Sequence, residues 1–180
     1  LKEGSGNTMF IGYTNIWRSN NIKSSPVQWK RISYNLGGVN NSNFNELESN
    51  IANPDVLYAA RYNGTLFRSD NVNATSPNWT TITKPITGVV NAIETDPKSQ
   101  NIVYIGIANR VYKSTDKGAN WTQVLSNLAY NVSSIILDTT SAKKGLYIGT
   151  SGGGVWYTDS LLTVWKYFSK GLPNSVNITD

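Results

Sequence analysis

Cysteine and histidine are both missing from the 180 residues of this chain. Without them there is no disulfide framework, no zinc site of the usual kind, and no Ser–His or Cys–His nucleophile pair. We expect the chain to bind neither a metal ion nor a cofactor. The missing cysteine leaves the cellular compartment open, although an exported bacterial protein often has this composition.

Long apolar runs are missing as well. No run approaches the length that crosses a membrane, and residues 1–6 do not form a secretory signal peptide. Because the chain starts with Leu1, we expect a processed or excised piece. Lys and Arg total 16 against 11 Asp and Glu, for a net charge of +5, and the basic residues are scattered. We therefore predict neither a nucleic-acid partner nor a membrane span.

Residues typical of strands and turns are plentiful. The sequence is rich in Tyr, Trp, Ile, Val, Thr and Asn, and it lacks long runs of Ala, Glu and Leu. This composition favours strands over helices. Alternating segments recur along the chain, and none has the 3.6-residue apolar period of a helix. A length of 180 residues suits one domain, so we predict a single all-β domain over residues 1–180.

One octapeptide, Ser114 to Trp121, reads S-x-D-x-G-x-x-W between two alternating segments, and this pattern predicts a β-hairpin. Asp116 can accept hydrogen bonds from backbone N–H groups of the turn, and Gly118 can adopt a positive φ without a steric penalty. Trp121 carries a large apolar surface that can fold back over the turn and seal it.

Weaker copies of this motif recur along the chain. Their Ser or Thr positions are 50, 45 and 44 residues apart, and a Trp follows each after 10, 10, 7 and 7 residues. The fourth copy has Ser160 at the Asp position and Leu162 at the Gly position, so its turn is a weak match. The predicted structural residues of the four turns are Ser19, Asn21 and Trp29; Ser69, Asn71 and Trp79; Ser114, Asp116, Gly118 and Trp121; and Thr158 and Trp165.

Each full cycle contains four predicted strands, with the motif between the third and the fourth. Four-stranded units that repeat every 42–50 residues are typical of β-propeller blades. Small residues such as Ala60, Gly106 and Gly149 end the second strands, which suits strands crowded where blades converge. The last predicted strand, 175–178, either completes the first sheet of a four-bladed ring or continues into a larger propeller.

The octapeptide resembles the Asp-box, or BNR repeat, of sialidases, sortilin-type receptors and xyloglucanases. In that family the box caps a hairpin between the two outer strands of a propeller blade. The resemblance implies an all-β propeller of four-stranded antiparallel blades with four repeats, either four-bladed or an excerpt of a larger propeller.

The catalytic residues of these relatives do not transfer to this chain. The sialidases require an arginine triad, and only Arg61 and Arg110 are expected on loops. The xyloglucanases require two carboxylates from different blades. Glu94 is an inner-strand carboxylate that could face a channel, whereas Asp96 is expected to serve a turn. No catalytic residue is assigned, and Tyr62, Glu94 and Arg110 are the predicted ligand-binding residues.

Two functional classes remain open from the sequence. The first is a non-catalytic recognition or scaffold propeller of an exported or cell-surface protein, which binds a protein or a glycan at loops such as 36–45 and 62–64. The second is a segment of a larger propeller glycoside hydrolase, xyloglucanase-like or sialidase-like, with catalytic carboxylates partly elsewhere. Exposed tyrosines such as Tyr13 and Tyr130 could stack on sugar rings in the first class.

Overall fold

The computed structural model describes residues 2–3, 6–34, 36, 42–140, 145–159, 161–173 and 176–179. Within these residues the chain is all-β, with four four-stranded antiparallel sheets and no helix, which confirms the predicted fold class. Among the same residues, no helix has the length and apolar character needed to cross a membrane.

The strands of each sheet follow one another along the chain, so each sheet is an antiparallel meander. The first sheet contains β1 (Lys2–Glu3), β2 (Met9–Gly12), β3 (Ile16–Ser19) and β4 (Lys30–Arg31). The second contains β5 (Phe44–Ser49), β6 (Leu57–Arg61), β7 (Leu66–Ser69) and β8 (Thr80–Ile82). The third contains β9 (Val90–Thr95), β10 (Val103–Ile107), β11 (Arg110–Ser114) and β12 (Thr122–Leu125). The fourth contains β13 (Val132–Leu137), β14 (Leu146–Thr150), β15 (Val155–Thr158) and β16 (Lys166–Tyr167).

The chain divides into two compact units. One comprises Leu1–Val90 and Thr95–Gln100 and contains the first two sheets. The other comprises Asn91–Glu94 and Asn101–Asp180 and contains most of the third sheet and all of the fourth. The single domain predicted over residues 1–180 stays a prediction.

Each unit has its own apolar core, formed by two consecutive sheets. Burying one large apolar side chain contributes roughly 1.5–3 kcal/mol, so these cores are the main source of each unit's stability. In the first unit the buried residues are Phe10, Ile16, Ile32, Phe44, Leu47, Leu57, Ala59, Phe67 and Val72. In the second they are Ala92, Tyr104, Val111, Leu125, Leu128, Val132, Ile135, Leu146 and Ile148.

Glycines in the second strands let the next inner strand approach closely. A Cβ added to Gly12 would lie 2.9 Å from Cβ of Phe44, the first residue of β5. A Cβ added to Gly106 would lie 2.6 Å from Cγ1 of Val132, the first residue of β13. No side chain fits at these distances without a shift of its neighbours. The close approach at Gly106 agrees with the crowding predicted there, whereas Gly12 was not among the predicted positions.

The structure excludes one of the two alternatives for the last predicted strand. The inner strand of the first sheet is β1, which pairs with Met9 and Phe10, so the 175–178 segment does not complete that sheet. Residues 174 and 175 lie outside the described residues. Asn177 instead forms an isolated antiparallel bridge with Ser151, next to the end of β14. Periodicity alone could not decide between these partners, because both place the segment beside a second strand.

Candidate functional site

The third turn, Ser114 to Trp121, is built on two side chains. The buried Ser114 hydroxyl donates to Asp116 Oδ1 at 2.8 Å and accepts from the backbone N–H of Gly118 at 2.8 Å. Asp116 accepts from the backbone N–H of Asn120 at 2.8 Å and from its side-chain amide at 2.7 Å. Gly118 has φ +88° and Lys117 has φ +60°. The turn chemistry predicted for Ser114, Asp116 and Gly118 therefore matches their contacts.

These hydrogen bonds lower the pKa of Asp116 to about 2. The largest contribution comes from the side chain of Asn120, followed by its backbone N–H and the Ser114 hydroxyl. Each of these donors stabilises the carboxylate over the carboxylic acid. The hydrogen bonds of the turn thus stabilise the ionised form of Asp116.

The second turn keeps this arrangement despite its three extra residues. Ser69 donates to Asn71 Oδ1 at 3.2 Å, and the same oxygen accepts from the backbone N–H of Asn78 at 2.8 Å. Asn78 precedes Trp79 as Asn120 precedes Trp121. The amide oxygen of Asn71 therefore accepts the same two hydrogen bonds in the second turn as Asp116 Oδ1 accepts in the third.

The first turn is closed by different hydrogen bonds from those of the second and third turns. Its Ser19 hydroxyl accepts from the backbone N–H of Asn21 at 3.3 Å. Ser24 then closes the turn, because its hydroxyl donates to the backbone carbonyl of Asn21 at 2.8 Å. The backbone N–H of Ser24 donates to the same carbonyl at 3.1 Å.

The fourth turn uses a residue that the sequence analysis missed. Asp159 Oδ1 accepts from the backbone N–H of Leu161 at 3.1 Å, whereas the expected Ser160 lies outside the described residues. Thr158 is buried, and its hydroxyl has no hydrogen-bond partner among the described residues. Leu162 adopts φ +56° at the glycine position. The sequence signal that could have identified this cap is the Asp at position 159, directly after Thr158.

Two of the tryptophans, Trp79 and Trp165, link their turns to the preceding sheet. The indole N–H of Trp79 donates to the carbonyl of Ile32 at 2.9 Å, directly after β4. The indole N–H of Trp165 donates to the carbonyl of Val124 in β12 at 3.0 Å. Ile32 and Val124 each lie three residues after the Trp of their own repeat, so the two links are equivalent. The sequence analysis predicted that the Trp side chain seals its own turn, but it did not predict this hydrogen bond to a neighbouring sheet. Trp29 and Trp121 are half-buried.

The arginines expected on loops lie in strands. Arg61 is the last residue of β6 and is 1 % exposed; its guanidinium donates to the carbonyls of Ser42 at 2.9 Å and Thr14 at 3.1 Å. The guanidinium carbon Cζ lies 4.3 Å from the ring centre of Phe44. Burial lowers the pKa of Arg61. Arg110 is the half-buried first residue of β11. The loop placement of both residues was wrong, because each is the terminal residue of a strand.

Inner-strand glutamates connect consecutive sheets. Glu94 Oε1 accepts from the backbone N–H of Leu137, in the next sheet, at 3.2 Å. Glu48 holds the same position in the second sheet, and its Oε1 accepts from the Thr95 hydroxyl at 3.2 Å. This places Glu94 in a contact between sheets of its unit, and its role in ligand binding stays a prediction.

A cleft of about 480 Å³ lies beside the turn after β6. Tyr62, the first residue of that turn, is 64 % exposed. The ammonium group of Lys84 donates to the carbonyl of Gly88, and burial lowers its pKa. The lining residues are Asn63, Gly64, Thr65, Lys84, Pro85, Ile86, Thr87 and Gly88. Residues 37–41 of the neighbouring predicted loop, 36–45, lie outside the described residues.

Among the described residues, no group of three or more Asp, Glu, His or Cys side chains could hold a metal ion. Neither a family model nor a curated protein matches the sequence. Solved structures do resemble the chain. The GH74 xyloglucanase from Xanthomonas campestris is 15 % identical, with a TM-score of 0.70 over 96 % of this chain and 29 % of that one. An ancestral GH74 enzyme is 19 % identical, with a TM-score of 0.70 over 97 % of this chain and 25 % of that one.

The extracellular domain of a one-component system protein from B. thetaiotaomicron is 18 % identical, with a TM-score of 0.69 over 97 % of this chain and 23 % of that one. The fold is that of a propeller segment. This chain spans about a quarter of the length of each of these structures. Its four sheets are therefore four propeller blades, with the turns between the two outer strands of each blade.

Proposed function

We propose that this propeller segment is a non-catalytic recognition module of an exported or cell-surface protein, and that it binds a glycan at the cleft beside Tyr62. The observation that carries this proposal is a cleft with amide, hydroxyl and ammonium groups in its lining, together with the exposed Tyr62, which directly precedes the lining residue Asn63 in the chain. A sugar ring offers an apolar C–H face and a rim of hydroxyl groups. An aromatic face with nearby polar groups complements both parts.

The turn that carries Tyr62 is held by its own hydrogen bonds. The backbone N–H of Gly64 donates to the carbonyl of Arg61 at 2.8 Å, and that of Thr65 donates to Asn63 Oδ1 at 3.0 Å. The N–H of Tyr62 donates to the carbonyl of Asn43 at 3.1 Å. Binding at an ordered loop avoids the entropic cost of fixing it, which supports recognition at this position.

The contacts of the carboxylates support a role without catalysis. Asp96 accepts from the backbone N–H of Lys98 at 2.7 Å, and Asp138 accepts from that of Thr140 at 3.1 Å. Together with the bond between Glu94 and Leu137, these contacts engage Glu94, Asp96 and Asp138 in structural hydrogen bonds. The tightly bonded Ser114–Asp116 turn supports our assignment of the repeats to the Asp-box. The extracellular domain among the similar structures supports an exported location.

Glycan-array binding followed by calorimetry tests the proposal. We expect Tyr62→Ala to weaken binding of the identified glycan by about tenfold, which corresponds to about 1.4 kcal/mol. Tyr34→Ala is the matched control, because Tyr34 is an exposed tyrosine that stacks with Arg31 instead of bordering the cleft. A blank array, or equal binding by Tyr62→Ala and the wild type, would contradict the proposal.

The second candidate, a segment of a glycoside hydrolase, is favoured by the two GH74 enzymes among the similar structures. Assays with xyloglucan and an aryl glycoside separate the two functions. Hydrolysis that is lost in Glu94→Gln would support the hydrolase. Binding of the same glycan without turnover would support the recognition module.

A further inference from the structure

The cleft beside the turn after β6 has a single charged residue in its lining. Lys84 alone is charged among the described residues that line it, and the others contribute amide, hydroxyl, apolar and backbone groups. The lining comes from the turn that contains Gly64 and from segment 84–88, which follows β8, and both belong to the first unit. A molecule bound in the cleft therefore meets a positive charge and no carboxylate in this lining.

The ammonium group of Lys84 lies where the turn and segment 84–88 approach each other. It donates to the carbonyl of Gly88, four residues later. A Cβ added to Gly64 would lie 3.3 Å from Lys84 Nζ and 2.8 Å from the oxygen of that carbonyl. Because residue 64 is a glycine, no side chain from this position covers the ammonium group.

In the third sheet the corresponding turn and segment are bonded directly to each other. The side-chain amide of Asn109, which follows β10, donates to the carbonyl of Leu128, which follows β12, at 2.9 Å. The backbone N–H of Leu128 donates to the carbonyl of Asn109 at 3.4 Å. A cleft that carries a lysine at this place is therefore a departure of the second sheet from the third, and the repeat itself does not require it.

The surroundings of Lys84 leave its positive charge without an opposite charge in the cleft. Burial lowers the pKa of Lys84, because it disfavours the charged form of the side chain. The carbonyl of Gly88 is a neutral acceptor, and an anion would stabilise the ammonium form more strongly. An ammonium group has several N–H donors, so Lys84 can bind an anion and keep its bond to Gly88.

We propose that this cleft binds glycans that carry an anionic group, a carboxylate or a sulfate, and that Lys84 pairs with that group. The inference rests on the glycan binding proposed above and names the class of glycan. The hydroxyl groups of Thr65 and Thr87 in the lining complement the hydroxyl groups of a sugar. Lys84 determines specificity, because an acidic sugar supplies the missing opposite charge and a neutral sugar does not.

Calorimetry with matched pairs of glycans tests this inference. An oligogalacturonide and its methyl ester differ in the charge of the carboxyl groups, and dextran sulfate and dextran differ in the sulfate groups. We expect the wild type to bind the anionic member of at least one pair about tenfold or more tightly than the neutral member at low salt. The pair that shows the preference distinguishes a carboxylate from a sulfate. The preference is expected to shrink as the salt concentration rises, because salt screens the ion pair.

Substitution of Lys84 separates recognition of charge from support of the loop. Lys84→Met removes the ammonium group and keeps an unbranched chain, so we expect it to lose the preference and to bind the neutral member as the wild type does. Lys84→Arg is expected to keep the preference. Lys98→Met is the matched control, because Lys98 is exposed, belongs to the first unit and lies outside the lining of the cleft. Urea unfolding checks that each variant folds.

The outcomes distinguish this inference from the proposed function on which it rests. Equal affinity of the wild type for both members of both pairs would overturn the inference and leave glycan recognition in place. An equal loss of affinity for both members in Lys84→Met would also overturn it, because Lys84 would then only hold the loop. A wild type that binds no glycan at all would overturn the proposed function, and this inference with it.

Discussion

At the residue scale, the Ser114 hydroxyl is the most consequential group of the third turn. It bonds with Asp116 and satisfies the N–H of the buried Gly118. We expect Ser114→Ala to lower the free energy of unfolding by about 1–3 kcal/mol, because the Gly118 N–H loses its partner. Urea unfolding measures this change. Ser76→Ala removes an exposed hydroxyl and is expected to change stability by less than about 0.5 kcal/mol. Equal losses in both variants would contradict this role of Ser114.

Asp116 makes the third turn sensitive to acid. Its pKa is lowered to about 2 in the folded chain, below the ordinary value of 3.8. A lowered pKa stabilises the fold fully above the ordinary value, and this contribution is lost as the pH falls toward 2. We therefore expect the melting temperature of Asp116→Asn to fall less than that of the wild type between pH 5 and about pH 2. Identical acid profiles of the two proteins would contradict the assignment.

A turn at Ser114, Asp116 and Gly118 was predictable from the sequence because the hydrogen bonds of these residues are local, within four residues of each other. The sequence analysis missed Asp159, because a shift of one residue changes which side chain caps the turn without changing the composition of the turn. The repeat alignment placed Leu162 at the glycine position, but the residue type itself argued against the positive φ that it adopts, because a leucine rarely has one.

At the scale of elements, the close approach at Gly106 limits the size of the side chains between the third and fourth sheets. We expect Gly106→Ala to destabilise the protein by about 1–3 kcal/mol, because the added methyl group overlaps Val132. Val132→Ala removes the overlapping atoms, so the double variant is expected to lose less stability than the sum of the two single variants. Denaturant unfolding of the four proteins measures this coupling, and additive losses would contradict it.

The indole bond between Trp79 and Ile32 links the second sheet to the outer strand of the first. We expect Trp79→Phe to cost roughly 1 kcal/mol, because the buried Ile32 carbonyl loses a donor while an aromatic ring is kept. Trp17→Phe is the matched control, since its ring is partly exposed. Thermal and urea unfolding compare the variants, and an equal effect of both substitutions would argue against the link.

Most strands were predictable because alternation of polar and apolar residues is a local signal. The lengths of the outer strands were not predictable, since β4 and β16 contain only two residues each. The acceptor of the Trp79 indole could not be predicted either, because it lies 47 residues earlier in the chain. A repeat period gives equivalent positions, but it does not say which equivalent positions touch.

At the scale of the whole molecule, the repeat is a set of contacts between consecutive sheets as well as a sequence pattern. Within each unit the same three contacts recur: a glycine beside the next inner strand, a glutamate bonded to the next sheet, and an indole bonded to the preceding sheet. The fold class followed from the period, since one four-stranded sheet cannot bury both of its faces alone. The candidate cleft beside Tyr62 could not be located in this way, because its two sides come from segments about 20 residues apart.

Hydrogen exchange of the indole N–H groups, followed by two-dimensional NMR, tests most directly that the tryptophans join consecutive sheets. We expect the indole protons of Trp79 and Trp165 to exchange slowly, because both are bonded to carbonyls of the preceding sheet. The partly exposed Trp17 is expected to exchange quickly. Equally fast exchange at all three positions would contradict the account.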